Sequence, residues 1–298
     1  MEIIRTIEWM KQTSRAAREQ GRSIGFVPTM GALHEGHLSL VRAADAANKP
    51  VVVSIFVNPG QFGPHEDFAR YPRQLEKDAA LLESVGADYL FAPEAADIYP
   101  AGFRTYVNVE GLGDRLEGRV RPGHFRGVTT VVLKLWEIVQ PHSAFFGRKD
   151  AQQARILRQM AHDLNLDAEI SVQPIVRETD GLAMSSRNAY LSPDERRAAT
   201  SLSRALAAAG GAIKSGERNA GAIVHAAQAV LAAEPLVKPD YVELVNEENL
   251  EPVALLGRTC LLLIAANVGI AKGTKQPTRL IDNLLVTADA AGHFQVTI

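Results

Sequence analysis

Two histidines three residues apart, His34 and His37, lie in PTMGALHEGHLSLV (28–41) beside two glycines, Gly31 and Gly36. Imidazole is well matched to donating a hydrogen bond or a proton near neutral pH. Residues three apart share a helix face, so both rings can meet one ligand if a helix begins near His34. An apolar run ends at Met30, Gly31 turns the chain, and a helix opens near Gly36 and His37. Unpaired backbone N–H groups at such an opening attract anions. Gly31 and Gly36 have P-loop spacing, but His37 and Leu38 stand where that loop needs Lys and Ser or Thr. An ordinary kinase is therefore disfavoured. A capping or surface histidine pair is the alternative reading, and a zinc pair lacks a third ligand close by.

Further polar stretches carry the same kind of interest. In FVNPGQFGPHEDFARYPR (56–73), Asn58 and Gln61 follow a second apolar run. The Gln61 amide offers both donor and acceptor, which suits a substrate with hydroxyl and carboxylate groups. Read alone, NPGQF is also an ordinary turn. Asp150 and Gln153, in FFGRKDAQQ (145–153), have the spacing of a helix capping box and stay open between capping and binding. RETDGLAMSSRNAYL (177–191) is a polar connector or part of a site between domains. Arg121 and His124, in VRPGHF (120–125), belong either to a cationic cluster or to a solvated loop.

These residues need elements to position them. SIGFVPTM (23–30) and PVVVSIFVN (50–58) are near-continuous apolar runs, as strands covered on both faces should be. Strands are also expected at 87–93, 143–147 and 169–177, and helices at about 37–48, 73–85, 127–139 and 150–164. That alternation predicts an α/β domain with a Rossmann-like, doubly wound parallel sheet, whose ligands sit beyond the carboxyl ends of its strands. The rhythm changes near residue 180. Ser192-Pro193-Asp194-Glu195 is a strong helix start. Alanine-rich helices are expected at 193–214 and 218–233, then strands in YVELVN, TCLLLIAANV, RLIDNLLVT and HFQVTI. This reads as a smaller α+β domain, with domains at 1–182 and 183–298.

Composition narrows the class. The 298 residues carry 32 basic and 34 acidic side chains, a balance that argues against a dedicated nucleic-acid binder. A single cysteine, Cys260, excludes an intramolecular disulfide and sits in an apolar run, as a buried thiol would. MEIIRTIEWMKQ has early charges and no apolar core of signal-peptide length, and no stretch is apolar enough for a membrane helix. A cytoplasmic enzyme is the expectation.

The order of strand, glycine turn, HxGH and helix resembles the nucleotidyl-transferase superfamily, which attacks a nucleotide's α-phosphate and releases pyrophosphate. With the other three stretches in order, the chain resembles the pantothenate synthetase (pantoate–β-alanine ligase) family from about residue 20 to 192. A weaker echo lies in GTKQPTRLIDN (273–283). The resemblance implies ATP-dependent joining of (R)-pantoate to β-alanine through a pantoyl adenylate, with Mg2+ accompanying ATP, in coenzyme A biosynthesis. It implies that Met30, Gly31, Ala32, Leu33, His34, Glu35, Gly36 and His37 wrap the ATP phosphates, His37 donating a proton to the leaving group. Gly147, Arg148, Lys149, Asp150, Val176, Met184, Ser185, Ser186 and Arg187 would also contact ATP. Gln61 and Gln153 would hold pantoate, with Gln61 near β-alanine, joined by Met30 and Asn58.

Several of these roles make physical sense singly. Lys149 and Arg187 supply fixed positive charge for a triphosphate. Ser185 and Ser186 offer small hydroxyls that reach phosphate oxygens. The family more often has an acidic or amide residue where Arg148 stands, a departure that adds charge and removes no catalytic group. No carboxylate stands out as a magnesium ligand. A homodimer and a lid from the second domain are further implications. The rivals are a nucleotidyltransferase that keeps the nucleotide on its product, and a nucleotide sensor without catalysis.

Overall fold

The structure, a computed structural model, describes residues 1–64, 66–271 and 276–298. His65 of the second stretch and residues 273–275 of the weaker echo lie outside the described residues. Packing divides the chain into two compact units, residues 1–148 with 152–174, and residues 149–151 with 175–298.

The first unit opens with β1 (Glu2–Ile4) and α1 (Ile7–Glu19), then β2 (Gly25–Thr29), α2 (Glu35–Ala47), β3 (Val51–Ile55), α3 (Leu75–Ser84) and β4 (Tyr89–Phe91). The short α4 (Ala95–Ile98) and α5 (Glu117–Val120) precede α6 (His124–Val139), β5 (Ser143–Gly147), α7 (Ala151–Asp163) and β6 (Glu169–Gln173). The six strands are parallel in the order β1-β4-β3-β2-β5-β6. The chain winds outward from β2 through β3 and β4, then lays β5 and β6 on the other side of β2. Ligands settle at such a reversal, beyond the carboxyl ends of the strands.

The apolar runs are explained by two covered faces. Phe26, Val52, Phe91 and Phe146 enter one core layer with Met10, Trp136 and Leu157. Val27, Val53, Leu90 and Phe145 enter the other with Leu38, Val41 and Leu82. Neighbouring residues of each strand therefore go to opposite layers, the period of two. β6 stops at Gln173, short of the expected 177, because Pro174 has no N–H for the ladder. β1 and α1 were not expected. Thr6 caps α1 through its Oγ1, which accepts from the Trp9 N–H at 3.3 Å.

The second unit contains α8 (Pro193–Ala199), α9 (Ser201–Lys214) and α10 (Ala220–Ala232), then β7 (Val237–Asn246), β8 (Thr259–Val268), β9 (Thr278–Ala288) and β10 (Phe294–Thr297). The start at Ser192 is a capping box. Its Oγ accepts from the Glu195 N–H at 3.4 Å, and Glu195 accepts from the Ser192 N–H at 2.8 Å. The single helix expected over 193–214 breaks at Thr200. There the Thr200 hydroxyl bonds the Arg197 carbonyl (2.8 Å) and Ser203 bonds the Thr200 carbonyl (3.0 Å), local bonds that compete with the helix ladder. The antiparallel sheet, ordered β10-β9-β8-β7, shares a core with the helices that includes Leu202, Leu206, Ile223, Leu262 and Leu284. Pro239 is tolerated because β7 is an edge strand, and its register shifts there. Cys260 is buried in β8.

Candidate active site

Between β2 and α2 the chain makes a tight turn. Gly31 and Ala32 both have left-handed backbone, at φ 81° and 51°. Glycine adopts this freely, whereas alanine must be held there. The holding group is Asp78 on α3, whose two carboxylate oxygens accept from the Ala32 and Leu33 N–H groups, each at 2.9 Å. Burial raises the Asp78 pKa above its ordinary value, opposed by those two amides. A Cβ on Gly31 would stand 3.0 Å from Asp78 Oδ2 and 3.1 Å from Ile55 Cγ2, so the approach of α3 also requires glycine.

His34 is the N-cap of α2. Its Nδ1 accepts from the Gly36 N–H at 3.2 Å, and His37 Nδ1 accepts from the His34 N–H at 3.4 Å, a capping box built from two imidazoles. The ring centroids are 4.1 Å apart, with the planes tilted by 39°. A nitrogen that accepts carries no proton, so each neutral ring is protonated on Nε2. The capping and ligand readings are thus compatible, because capping sets the tautomer that can donate to an anion.

Six of the amides at this helix opening, expected to be unpaired, are already engaged. Gly31 donates to Thr29 Oγ1 at 3.2 Å, Ala32 and Leu33 to Asp78, His34 and Gly36 to the imidazoles, and His37 to the His34 carbonyl at 2.8 Å. The turn uses these donors to hold its own shape.

Beyond β3, Asn58 is 1% exposed. Its Nδ2 donates to Gln61 Oε1 (3.0 Å) and to the Gly127 carbonyl (3.1 Å), and its Oδ1 accepts from Gly60 N–H (3.2 Å) and the Tyr99 hydroxyl (2.8 Å). Both donors and both acceptor sites of the amide are engaged, so a substrate contact at Asn58 would replace one of these bonds. Burial, then Tyr106, pushes the Tyr99 pKa up to about 12, which keeps its hydroxyl a donor. Gln61 Nε2 reaches Met30 Sδ at 3.0 Å, a weak acceptor that a substrate oxygen would readily displace.

The main chain of Gln61 has its own bracket. Its carbonyl accepts from His124 Nδ1 at 2.8 Å and from Arg121 at 3.4 Å, and Arg121 donates to His124 Nε2 at 3.1 Å. Arg121 also forks onto Glu66 at 2.7 and 2.6 Å. Burial and the adjacent guanidinium push the His124 pKa down to about 4. Burial works against the Glu66 carboxylate, but its hydrogen bond and charge attraction to Arg121 win, and its pKa lies below the ordinary value. Arg121 and His124 are therefore an ordered bracket on the Gln61 main chain and not a solvated loop. A Cβ on Gly127 of α6 would run into the Gly60 carbonyl, so the turn is also closely backed.

β5 ends at Gly147, where a Cβ would meet no described atom within 4 Å. Arg148 is half-buried, as is Gln153 in the first turn of α7. Its neighbour Gln152, not singled out from the sequence, is buried and anchors the 112–117 loop. It donates to the Leu112 and Arg115 carbonyls (2.9 Å each) and accepts from Glu117 N–H (3.1 Å). The predicted residues of the first unit thus follow the carboxyl ends of β2, β3 and β5, adjacent strands at the sheet's reversal.

In the second unit, Asn283 Nδ2 donates to the Lys149 carbonyl at 3.0 Å. Asp282, 2% exposed, takes a two-pronged ion pair from Arg177 at 2.7 and 2.8 Å. Arg177 also bonds the Gly181 carbonyl (3.0 Å), and Met184 N–H pairs with the Val176 carbonyl (3.0 Å). Ser185 Oγ accepts from Arg187 N–H at 3.3 Å, capping the 3-10 turn Ser186–Tyr190 and keeping its own O–H as a donor. Glu178 accepts from Arg196 (2.6 Å) and Asn188 (2.7 Å), and the Arg196 bond leads the effects that hold its pKa below the ordinary value. Asp282 and Asn283, part of the weaker echo, therefore fasten Lys149 and the 176–187 segment to β9. Asp150 is exposed. Among the described residues no group of three or more His, Cys, Asp or Glu could hold a metal ion, and no helix is long and apolar enough to cross a membrane.

A doubly wound parallel sheet with paired imidazoles at its reversal, and a separate antiparallel domain, define a Rossmann-like α/β framework with a candidate anion site. The sequence model for pantoate-beta-alanine ligase matches residues 2–285. A pantothenate synthetase of Thermotoga petrophila is 55% identical, covering 96% of this chain and 100% of its own. That of Pelotomaculum thermopropionicum is 53% identical, covering 96% and 99%. A crystal structure of pantothenate synthetase from Thermus thermophilus superposes with a TM-score of 0.88 at 44% identity, covering 95% of this chain and 98% of that one. The pantoate-beta-alanine ligase of Francisella tularensis, solved with beta-gamma ATP and beta-alanine, gives 0.75 at 34% identity, covering 95% and 97%. This chain belongs to the pantoate-beta-alanine ligase family.

Proposed function

We propose that this chain joins (R)-pantoate to β-alanine with ATP, through a pantoyl adenylate, in the formation of a coenzyme A precursor. An amine does not displace oxide from a free carboxylate at a useful rate, so the carboxylate must first be activated. Its oxygen attacks the α-phosphorus in line, the bond to the bridging oxygen breaks, and pyrophosphate leaves. The β-alanine amine then attacks the acyl carbon, AMP leaves, and the nitrogen gives up a proton.

The observation that carries this reading is the double-imidazole capping box after β2 in a member of this family. His37 Nε2–H, with His34 beside it, donates to the pyrophosphate as charge builds on it in the transition state. Lys149 and Arg187 add fixed charge, and Ser185 and Ser186 add hydroxyl donors to the phosphates. Gln61 and Gln153 hold pantoate, Gln61 exchanging its bond to Met30 for a substrate oxygen. ATP enters as its magnesium complex, the cation carried on phosphate oxygens and neutralising their charge. A homodimer in the cytoplasm belongs to the same proposal, with sedimentation velocity as the check on its mass.

The test is ATP–pyrophosphate exchange. Exchange that requires pantoate, with AMP released only when β-alanine is added, is the expected result. Exchange indifferent to pantoate, or a product that retains the nucleotide, refutes it.

A further inference from the structure

We infer that Asp78 is a positioning residue for the nucleotide turn: its carboxylate fills the concavity made by the Ala32 and Leu33 amides and thereby directs a phosphate to the imidazoles. The inference rests on the proposed reading that this turn meets ATP. Successive backbone N–H groups that converge make an anion-binding nest, the type of feature that cradles phosphates elsewhere. Here both N–H groups donate to one carboxylate, at 2.9 Å each, from a side chain that is 1% exposed. The nest is therefore occupied by the protein's own anion, whose charge repels a second one.

The backbone points the same way. Ala32 at φ 51° lies in a region an alanine enters only when its surroundings impose it, and it follows Gly31 at φ 81°. Asp78 bonds the amide of Ala32 itself and that of Leu33, the residue that follows the pair. The next residue, His34, begins the capping box that sets both ring tautomers. Moving the turn would displace the rings together, so Asp78 acts on the proposed chemistry without touching a substrate.

The experiment compares Asp78→Asn with wild type and with His37→Ala. Asparagine keeps the shape but offers one acceptor and directs an NH2 group at the other amide. In pantoate-dependent exchange, Asp78→Asn should raise the KM for ATP at least tenfold while the KM for pantoate stays within twofold. The backbone amide proton resonances of Ala32 and Leu33 should move upfield as the charged acceptor is lost. Unchanged ATP KM and unchanged amide resonances overturn the inference. If Asp78→Asn does not fold, hydrogen exchange on the wild-type protein decides: protection of Ala32 and Leu33 amides comparable to the interior of α2 supports the inference, and rapid exchange overturns it. His37→Ala separates the two readings. Full exchange activity in that variant sinks the nucleotide reading, whereas the Ala32 and Leu33 resonances still judge the role of Asp78.

Discussion

His124 Nδ1 donates to the main-chain carbonyl of Gln61 at 2.8 Å, while its Nε2 accepts from Arg121 at 3.1 Å. Both ring nitrogens are therefore committed in the neutral form, and a second proton would have to face a guanidinium. His124 titrates at about 4 in the folded protein, against an ordinary 6.5 when exposed. Between these values the unfolded chain binds more protons. The contribution is thus fully present above about pH 6.5 and is lost as pH falls toward about 4, on the order of 3 kcal/mol in all. Unfolding free energies of wild type and His124→Gln, measured across this range, should converge as the pH drops. A constant difference refutes the assignment.

Asn58→Ala removes four hydrogen bonds at a buried position and leaves Gly60, Gly127 and Tyr99 without their partner. Denaturant unfolding should show a loss of about 2–4 kcal/mol, since each orphaned buried group adds a desolvation cost. Gln61 also loses the bond that orients its amide. The KM for pantoate should rise more than tenfold, and an unaltered KM would mean that Gln61 is held by its backbone bracket alone.

Gly147→Val separates fold from ligand. The side chain meets no described neighbour at the β position and suits a strand, so stability should stay within about 1 kcal/mol. ATP binding, followed by calorimetry, should weaken by at least tenfold if the nucleotide passes this point. Wild-type affinity in a folded variant would remove Gly147 from the site.

Asp282→Ala strands the Arg177 guanidinium, which loses both of its bonds to a nearly inaccessible carboxylate. The cost should be about 3 kcal/mol in chemical unfolding. Exchange activity should fall as well, because Arg177 shapes the segment that carries Ser185 to Arg187. Loss of stability with full activity would limit Asp282 to a structural part.

Much of this was readable in advance, for identifiable reasons. A strand covered on both faces announces itself without reference to its partners, as GFVPT and VVVSI do, and the motifs follow where those strands end. Asp78 did not announce itself. In LEKDAALLES it is one acid among several on an ordinary amphipathic helix, and the amides it binds lie 45 and 46 residues earlier. His124 and Gln152 were obscured in the same way, through bonds to residues 63 and up to 40 positions away. α1 was missed for another reason. Ile7, Met10, Ser14 and Ala17 have helical spacing, but only three of the four are buried and Trp9 is 56% exposed, so the apolar stripe is thin.

A loop whose path is secured from behind by its own scaffold is evolvable in a particular way. On the proposed reading its histidines are the donors to ligand, so inheritance can replace them one codon at a time while the peptide track through Gly31 and Ala32 persists. Descendants of such a loop are free to adopt another leaving group, and the acid on α3, not the histidines, is the part expected to outlast the change.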